Sequence, residues 1–227
     1  MCGIIGIFNS TKAKEQVAQA LTILKNRGKD ASSSVKITDT SYLGHTLHAI
    51  INHIPQPITN KGTLTANCEI YNWEELNTKH NLKAKNDAEL LLKFLDTNKD
   101  LEQLDGVYAF AYLNDNLLTL ARDLLGIKPV WFTYTEETFA FASEKKALEQ
   151  LGYIDIQELN PRNILTYNIE TKELTFKERE FFTYLPEHKE SYEELKQQTK
   201  ILLHQAIKKR IPNKKFGLLF SGGIDST

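Results

Sequence analysis

The sequence predicts an α+β fold dominated by antiparallel β-structure, on three observations. Between residues 107 and 143 four short apolar runs, VYAFAYL, NLLTLAR, PVWFTY and TFAFAS, are broken by Asn-Asp-Asn, Leu-Gly-Ile-Lys-Pro and Glu-Glu. Short β-rich runs punctuated by turn residues are the pattern of hairpins in a large antiparallel system. Several of these runs lack clean polar alternation, which suits strands covered on both faces. Elsewhere residues 12–25 carry apolar residues on one helical face, and 73–80 and 87–95 also read as helices.

Each element follows in order. Residues 2–8 read as a buried strand, with Ile4, Ile5, Ile7 and Phe8 among permissive glycines. In the helix over 12–25, Val17, Ala20, Leu21 and Leu24 share one face. Residues 26–34, NRGKDASSS, predict a polar loop with a glycine turn. Strands are expected at 41–51 and 62–66, joined by a loop holding Pro55 and Pro57. A short helix is expected over 143–151, then a hairpin from 163–167 and 173–182. The polar, proline-bearing stretch 184–194 reads as a linker. A long amphipathic helix at 191–210 precedes an apolar strand at 216–220 and the closing SGGIDST.

Composition narrows the class. The chain has 227 residues, 41% hydrophobic and 25% charged, within the range of globular domains. A net charge of −1 gives no electrostatic case for nucleic acid or an anionic membrane as the main partner. Two cysteines, Cys2 and Cys68, are too few for a disulfide framework or a thiolate metal cluster. No run approaches the ~18 apolar residues of a membrane span, and no basic segment precedes the first apolar run. A cytoplasmic location is the expectation.

The two ends carry the chemistry. In KFGLLFSGGIDST an apolar strand runs into Ser-Gly-Gly-Ile-Asp-Ser, where paired glycines let backbone N–H groups face an anion. Ser221, Ser226 and Thr227 add hydroxyls, and the lysine of a Walker A loop is missing. The competing reading is a polar strand-to-helix turn. At the other end, Cys2 is either an ordinary buried thiol or, after removal of Met1, an N-terminal nucleophile with its own α-amine as base.

MCGIIGIF, RGKDASS, LGH, QP, NCEIYN, NDAELLL, DGVYAFAYLND, ARDLLGIKPVWF, FASEKKAL and SGGIDST occur in that order. Together they resemble the asparagine synthetase family over nearly the whole chain. The resemblance implies a class II (N-terminal-nucleophile) glutamine amidotransferase domain of four-layer αββα fold over residues 2–182. Residues 183–227 would be a linker and the first helix and strand of an α/β ATP-pyrophosphatase domain. Thr227 falls inside the phosphate loop, so the chain is expected to be a fragment of a longer protein or a truncated reading frame.

The same resemblance implies roles for individual residues. Cys2 attacks the glutamine side-chain amide, and Asn67 with the backbone N–H of Cys68 forms the oxyanion hole. Glu69 and Asp87 bind the substrate ammonium. Their plainer readings are surface acids and, for Asp87, a helix N-cap. Arg27, Gly28 and Asp30 match a loop that closes over glutamine. Leu219, Phe220, Ser221, Gly222, Gly223, Asp225 and Ser226 match the ATP loop. Arg122 and Asp123 read as a buried structural pair, and Ser143 and Glu144 as caps of the next helix. The implied substrates are glutamine and aspartate, with ATP and Mg2+ serving the complete synthetase. A homodimer is kept among the expected partners, with no residue arguing for it.

Three departures from the family stand out. Leu47 occupies the place of an arginine that pairs with the glutamine α-carboxylate, a contact leucine cannot make. This lack is shared with the asparagine synthetase domain-containing proteins, which the chain also resembles. His48 and His45 are the replacement candidates, against plain core or surface readings. Cys68 replaces a glycine, which raises the idea of a reversible disulfide with Cys2 beside the plainer reading of a small buried side chain. Lys29 replaces a proline and removes a φ constraint. The expectation is a glutamine-hydrolysing asparagine synthetase. Its rivals are an amidotransferase with another carboxylate acceptor and a non-catalytic module with impaired glutamine binding.

Overall fold

The computed structural model describes residues 1–181, 187, 189–212 and 215–226. Contacts divide the chain into two units, Met1–Phe182 and Thr183–Thr227. The first unit runs β1 (Gly3–Phe8), α1 (Ala13–Ile23), β2 (Ala31–Thr38), β3 (Ser41–Leu47), β4 (Ile58–Thr59), β5 (Thr63–Ile70), α2 (Trp73–His80) and α3 (Asp87–Leu95). It continues β6 (Gly106–Asn114), β7 (Leu117–Arg122), β8 (Trp131–Tyr134), β9 (Phe139–Ala142), α4 (Lys145–Gln150), β10 (Gln157–Glu158), β11 (Asn163–Asn168) and β12 (Leu174–Glu178). The second unit carries α5 (Tyr192–Arg210).

The strands form two six-stranded sheets, ordered β10-β8-β9-β1-β3-β2 and β12-β11-β7-β6-β5-β4. Side chains alternate between the faces of a strand, and here both faces are apolar. From β1, Ile4 and Phe8 enter the core between the sheets with Leu43, Ala109, Ala111, Leu120, Phe141 and Tyr167. Its Ile5 and Ile7 point the other way, onto Val17, Ala20 and Leu24 near α1 and onto Ala147 and Leu148 of α4. From β6, Ala109 and Ala111 face the first sheet while Phe110 and Tyr112 meet Leu90, Leu91 and Phe94 of α3. Helix, sheet, sheet and helix are therefore stacked by strands that are apolar on both sides, the αββα arrangement. Each fully buried Phe or Ile contributes about 1.5–3 kcal/mol. Gly6 sits where the sheets meet, and a Cβ there would fall 2.2 Å from the Phe141 ring.

Several expected elements are corrected. Residues 31–34 are the start of β2, not loop, because Val35 and Ile37 pack on the inter-sheet core while the serines share an edge strand whose side chains are only partly covered. β3 stops at Leu47 and leaves the following residues irregular. Asn86, not Asp87, caps α3, its side chain accepting from Glu89 N at 2.8 Å. Arg122 and Asp123 do not pair with each other. Arg122 binds Glu158 at 2.7 Å, and Asp123 accepts the N–H groups of Tyr108, Ile127 and Lys128. Ser143 and Glu144 make no side-chain cap on α4 and bind elsewhere, as described below.

In the second unit α5 begins with a capping box between Ser191 and Glu194, which satisfies two otherwise unpaired groups of the first turn. Residues 215–220 form no strand. A strand needs a neighbour for its N–H and C=O groups, and none of the described residues pairs with this segment. Residues 184–186 and 188 of the expected linker lie outside the described residues, as does Phe182 of the expected hairpin.

Candidate active site

Cys2 precedes β1, a strand flanked by β3 and β9 in the middle of its sheet. The residues around it are pinned. Arg27 Nε donates to the Cys2 carbonyl at 2.8 Å and its guanidinium continues to Glu144 at 3.0 Å. Ser143 donates its N–H to the Ile4 carbonyl and accepts the Ile4 N–H on Oγ, both at 2.9 Å. Arg27 therefore underlies the strand entrance and does not line the cleft in front of it. The Gly28 turn lies against β3 so closely that a Cβ would come within 2.5 Å of the Leu47 backbone.

The Cys2 sulfur faces the end of β3, accepting the His48 N–H at 3.4 Å. Its backbone N–H donates to Asn67 Oδ1 at 3.2 Å. That bond fixes the amide of Asn67, which is 2% exposed, and leaves its Nδ2 buried with no hydrogen-bond partner.

A second donor follows from strand register. Cys68 lies opposite Tyr108. Tyr108 directs its N–H to the Asp123 carboxylate and its C=O to the Asp123 N–H, so both face β7. Cys68 and Tyr108 are therefore a non-hydrogen-bonded pair, and the Cys68 N–H points away from β6. It shares that edge with the N–H of Ala66, held by Gln56 Oε1 at 2.8 Å, and the N–H of Ile70, held by Asp87 at 3.3 Å. Gln56 and Asp87 both line the cleft, so the Cys68 N–H between them faces it too.

The cleft is open to solvent. Cys2, Asn67 and Cys68 line one part, and Glu69 and Asp87 supply its carboxylates. Leu47, Ala49, Ile50 and Ile51 form an apolar side. Asp87 is 7% exposed, and burial raises its carboxyl to about 6 against the lowering effect of the Ile70 and Ala88 N–H groups. Glu69 is bound at 2.6 Å by Lys128, itself 4% exposed. Burial also pushes both thiols up, Cys68 furthest, and both cysteines are free. His45 is a core residue on the Ala66 carbonyl, and burial lowers its imidazole to about 4. His48 is exposed and stands 3.8 Å from Asp30.

The residues expected at the nucleophile thus fall into one place: Cys2, Asn67, Cys68, Glu69, Asp87 and His48 all line the cleft, and Arg27 backs it. Sequence reasoning misses Lys128 and Gln56. The available signal for burial of Lys128 is its position between Ile127 and Pro129, within the largely apolar run LGIKPVWF. The closing loop belongs to the second unit. Ser221 Oγ is engaged by Ser226 Oγ at 2.8 Å and by the Gly223 N–H at 3.3 Å, and Leu219 is wholly exposed. Gly222 and Asp225 lie in the same turn region, beside Phe220. Within the loop these hydroxyls and the Gly223 N–H satisfy one another.

Fold and cleft define a class II, N-terminal-nucleophile glutamine amidotransferase. A family model described as "Glutamine amidotransferase domain" matches residues 1–197, and the chain belongs to that family. Among its relatives is "Putative asparagine synthetase [glutamine-hydrolyzing] 1" of Methanocaldococcus jannaschii, 32% identical over all of this chain and 50% of that protein. Asparagine synthetase [glutamine-hydrolyzing] 3 of Bacillus subtilis is 33% identical over 69% of this chain and 28% of its own length. The chain spans half or less of these relatives. The solved glutamine phosphoribosylpyrophosphate amidotransferase of Bacillus subtilis shares the fold, with a TM-score of 0.69, 19% identity, and coverage of 78% of this chain and 49% of that one.

Proposed function

We propose that this chain is the amide-hydrolysing part of a glutamine-dependent asparagine synthetase, with Cys2 as nucleophile. The observation that supports it most is the Cys2 N–H bond to Asn67 Oδ1, which sets the Asn67 amide next to the nucleophile's own nitrogen, with Asn67 and Cys2 lining one cleft.

With Met1 in place the Cys2 nitrogen is a peptide N–H and has no lone pair for proton transfer. Removal of Met1 converts it to an amine that still has an N–H for Asn67. The amine takes the thiol proton, directly or through one water, which offsets the effect of burial on the sulfur. The thiolate attacks the side-chain carbonyl carbon of the glutamine moiety. Asn67 Nδ2 and the Cys68 N–H stabilise the oxygen as it becomes negative. The C–N bond breaks, the ammonium returns its proton to the leaving nitrogen, and ammonia departs. Water then cleaves the thioester, giving a carboxylate and restoring the thiol. Asp87 binds the substrate ammonium, with Glu69 beside it.

Aspartate as acceptor, with ATP and Mg2+, is proposed for the whole protein, on the strength of the relatives' names and the SGGIDST motif. No step above passes through them. A non-catalytic role is favoured by one observation, the apolar Leu47 in the cleft wall. Glutamate release from glutamine, measured with the N-terminus verified as Cys2, decides between the readings. Release is expected, and it should vanish in Cys2→Ala. Equal release from Cys2→Ala, or no amide hydrolysis at all by the folded, processed chain, would overturn the proposal.

A further inference from the structure

We infer that the cleft at Cys2 selects primary amides that carry an ammonium group but no free carboxylate, so that glutamine with an esterified or amide-linked α-carboxylate is taken in preference to free glutamine. This rests on Cys2 acting as the nucleophile, as proposed above.

The argument is the charge of the lining. Among the described residues lining the cleft there is no lysine or arginine, while Glu69 and Asp87 are both present. The basic groups nearby are already held. Lys128 lies behind Glu69, in a 2.6 Å ion pair. Arg27 is bound to the Cys2 carbonyl and to Glu144. His48, the basic side chain in the lining, faces the carboxylate of Asp30. Lys128 offsets the charge of Glu69, which leaves Asp87 as the uncompensated one and makes the cleft receptive to an ammonium.

A carboxylate entering the same cleft meets the opposite situation. It must lose water beside Asp87 and against Leu47, Ala49, Ile50 and Ile51, with no lysine or arginine to replace the lost hydration. A neutral ester or amide in that position loses little and gains apolar contact. Leu47, 5% exposed at the end of β3, is the specificity-determining residue. An arginine there would offer a fork to a carboxylate.

The test compares ammonia release from L-glutamine and from L-glutamine methyl ester by the chain processed to Cys2, in the wild type, Leu47→Arg and Cys2→Ala. Protection of Cys2 from iodoacetamide by each amide, located by mass spectrometry, gives a second readout. The methyl ester should have the higher kcat/KM by about tenfold or more, in keeping with one like-charge contact at low dielectric, and should protect at lower concentration. Leu47→Arg should reverse the order. Glutamine turned over as well as its ester, with Cys2→Ala dead, would overturn the selectivity alone. Turnover of neither amide, or activity surviving in Cys2→Ala, would overturn the nucleophile as well. The wild-type ratio decides the matter even if Leu47→Arg fails to fold.

Discussion

Replacing Asn67 by alanine should separate catalysis from stability. In the free protein Asn67 makes one long hydrogen bond, 3.2 Å from the Cys2 N–H, and its Nδ2 is buried without a partner. A net hydrogen bond is worth about 0.5–1.5 kcal/mol, and an unsatisfied buried donor costs about 1–3 kcal/mol. Alanine removes both, and leaves a small cavity, so the terms nearly cancel and unfolding in urea should shift by less than about 1 kcal/mol. The transition state is different, because there Nδ2 would have found its acceptor. Loss of one oxyanion donor lowers kcat by about 10²–10³, with KM little changed because the bond forms only as the oxygen becomes negative. Thr65→Ala on the same strand is the control: Thr65 is buried, donates to the Gly44 carbonyl at 3.2 Å and is not among the cleft residues. It should cost about 1 kcal/mol of stability and leave kcat alone. The assay is ammonia release at saturating amide, with urea unfolding on the same samples. If Asn67→Ala kept kcat within about threefold of wild type, far from the loss expected of an oxyanion donor, Asn67 would not be one.

The remaining predictions concern stability. Asp87 titrates at about 6 when folded against 3.8 for the free group, so the folded state holds its proton longer and stability falls as pH rises from 3.8 through 6. Asp87→Asn should remove that pH dependence, so that urea midpoints no longer fall across pH 4–7, while giving up one of the two carboxylate oxygens that accept the Ile70 and Ala88 N–H groups. His45 titrates at about 4 against 6.5, so its contribution is whole above 6.5 and is lost as pH falls through that window. His45→Gln should therefore flatten the acid side, and a variant-minus-wild-type difference independent of pH would show that His45 is not buried as a neutral ring. Gly6→Ala places a methyl 2.2 Å from Phe141 and 2.9 Å from Leu43, and should lower stability by about 1–3 kcal/mol or more; an unchanged thermal midpoint would contradict the close approach of the sheets.

Legibility varied with how local the cause was. The helices at Trp73–His80 and Asp87–Leu95 were readable because their spacing is carried by neighbouring residues. Strand β2 was not, since Ser32, Ser33 and Ser34 look like loop until β3 pairs with them residue by residue. The pairing of Arg122 and Asp123 was misread for a related reason: Arg122 ends β7 and reaches Glu158, while Asp123 opens the turn after it and accepts that turn's N–H groups. Asn86 displaced Asp87 as a cap because only the fold shows which of two adjacent polar side chains turns back on the helix.

By itself the sequence determined the α+β class, the order of apolar runs that become two-faced strands, and the ordered motifs that place Cys2, Asn67, Glu69 and Asp87 in one family. Those depend on residue type and short-range spacing. Tertiary structure alone decided what each group faces. It put the Cys68 N–H on the cleft edge through the Tyr108–Asp123 pairing, left Asn67 Nδ2 without a partner, and set Lys128 against Glu69 across 59 positions of chain. Burial and long-range register set the charge of the cleft, and neither is a property of any short stretch of sequence.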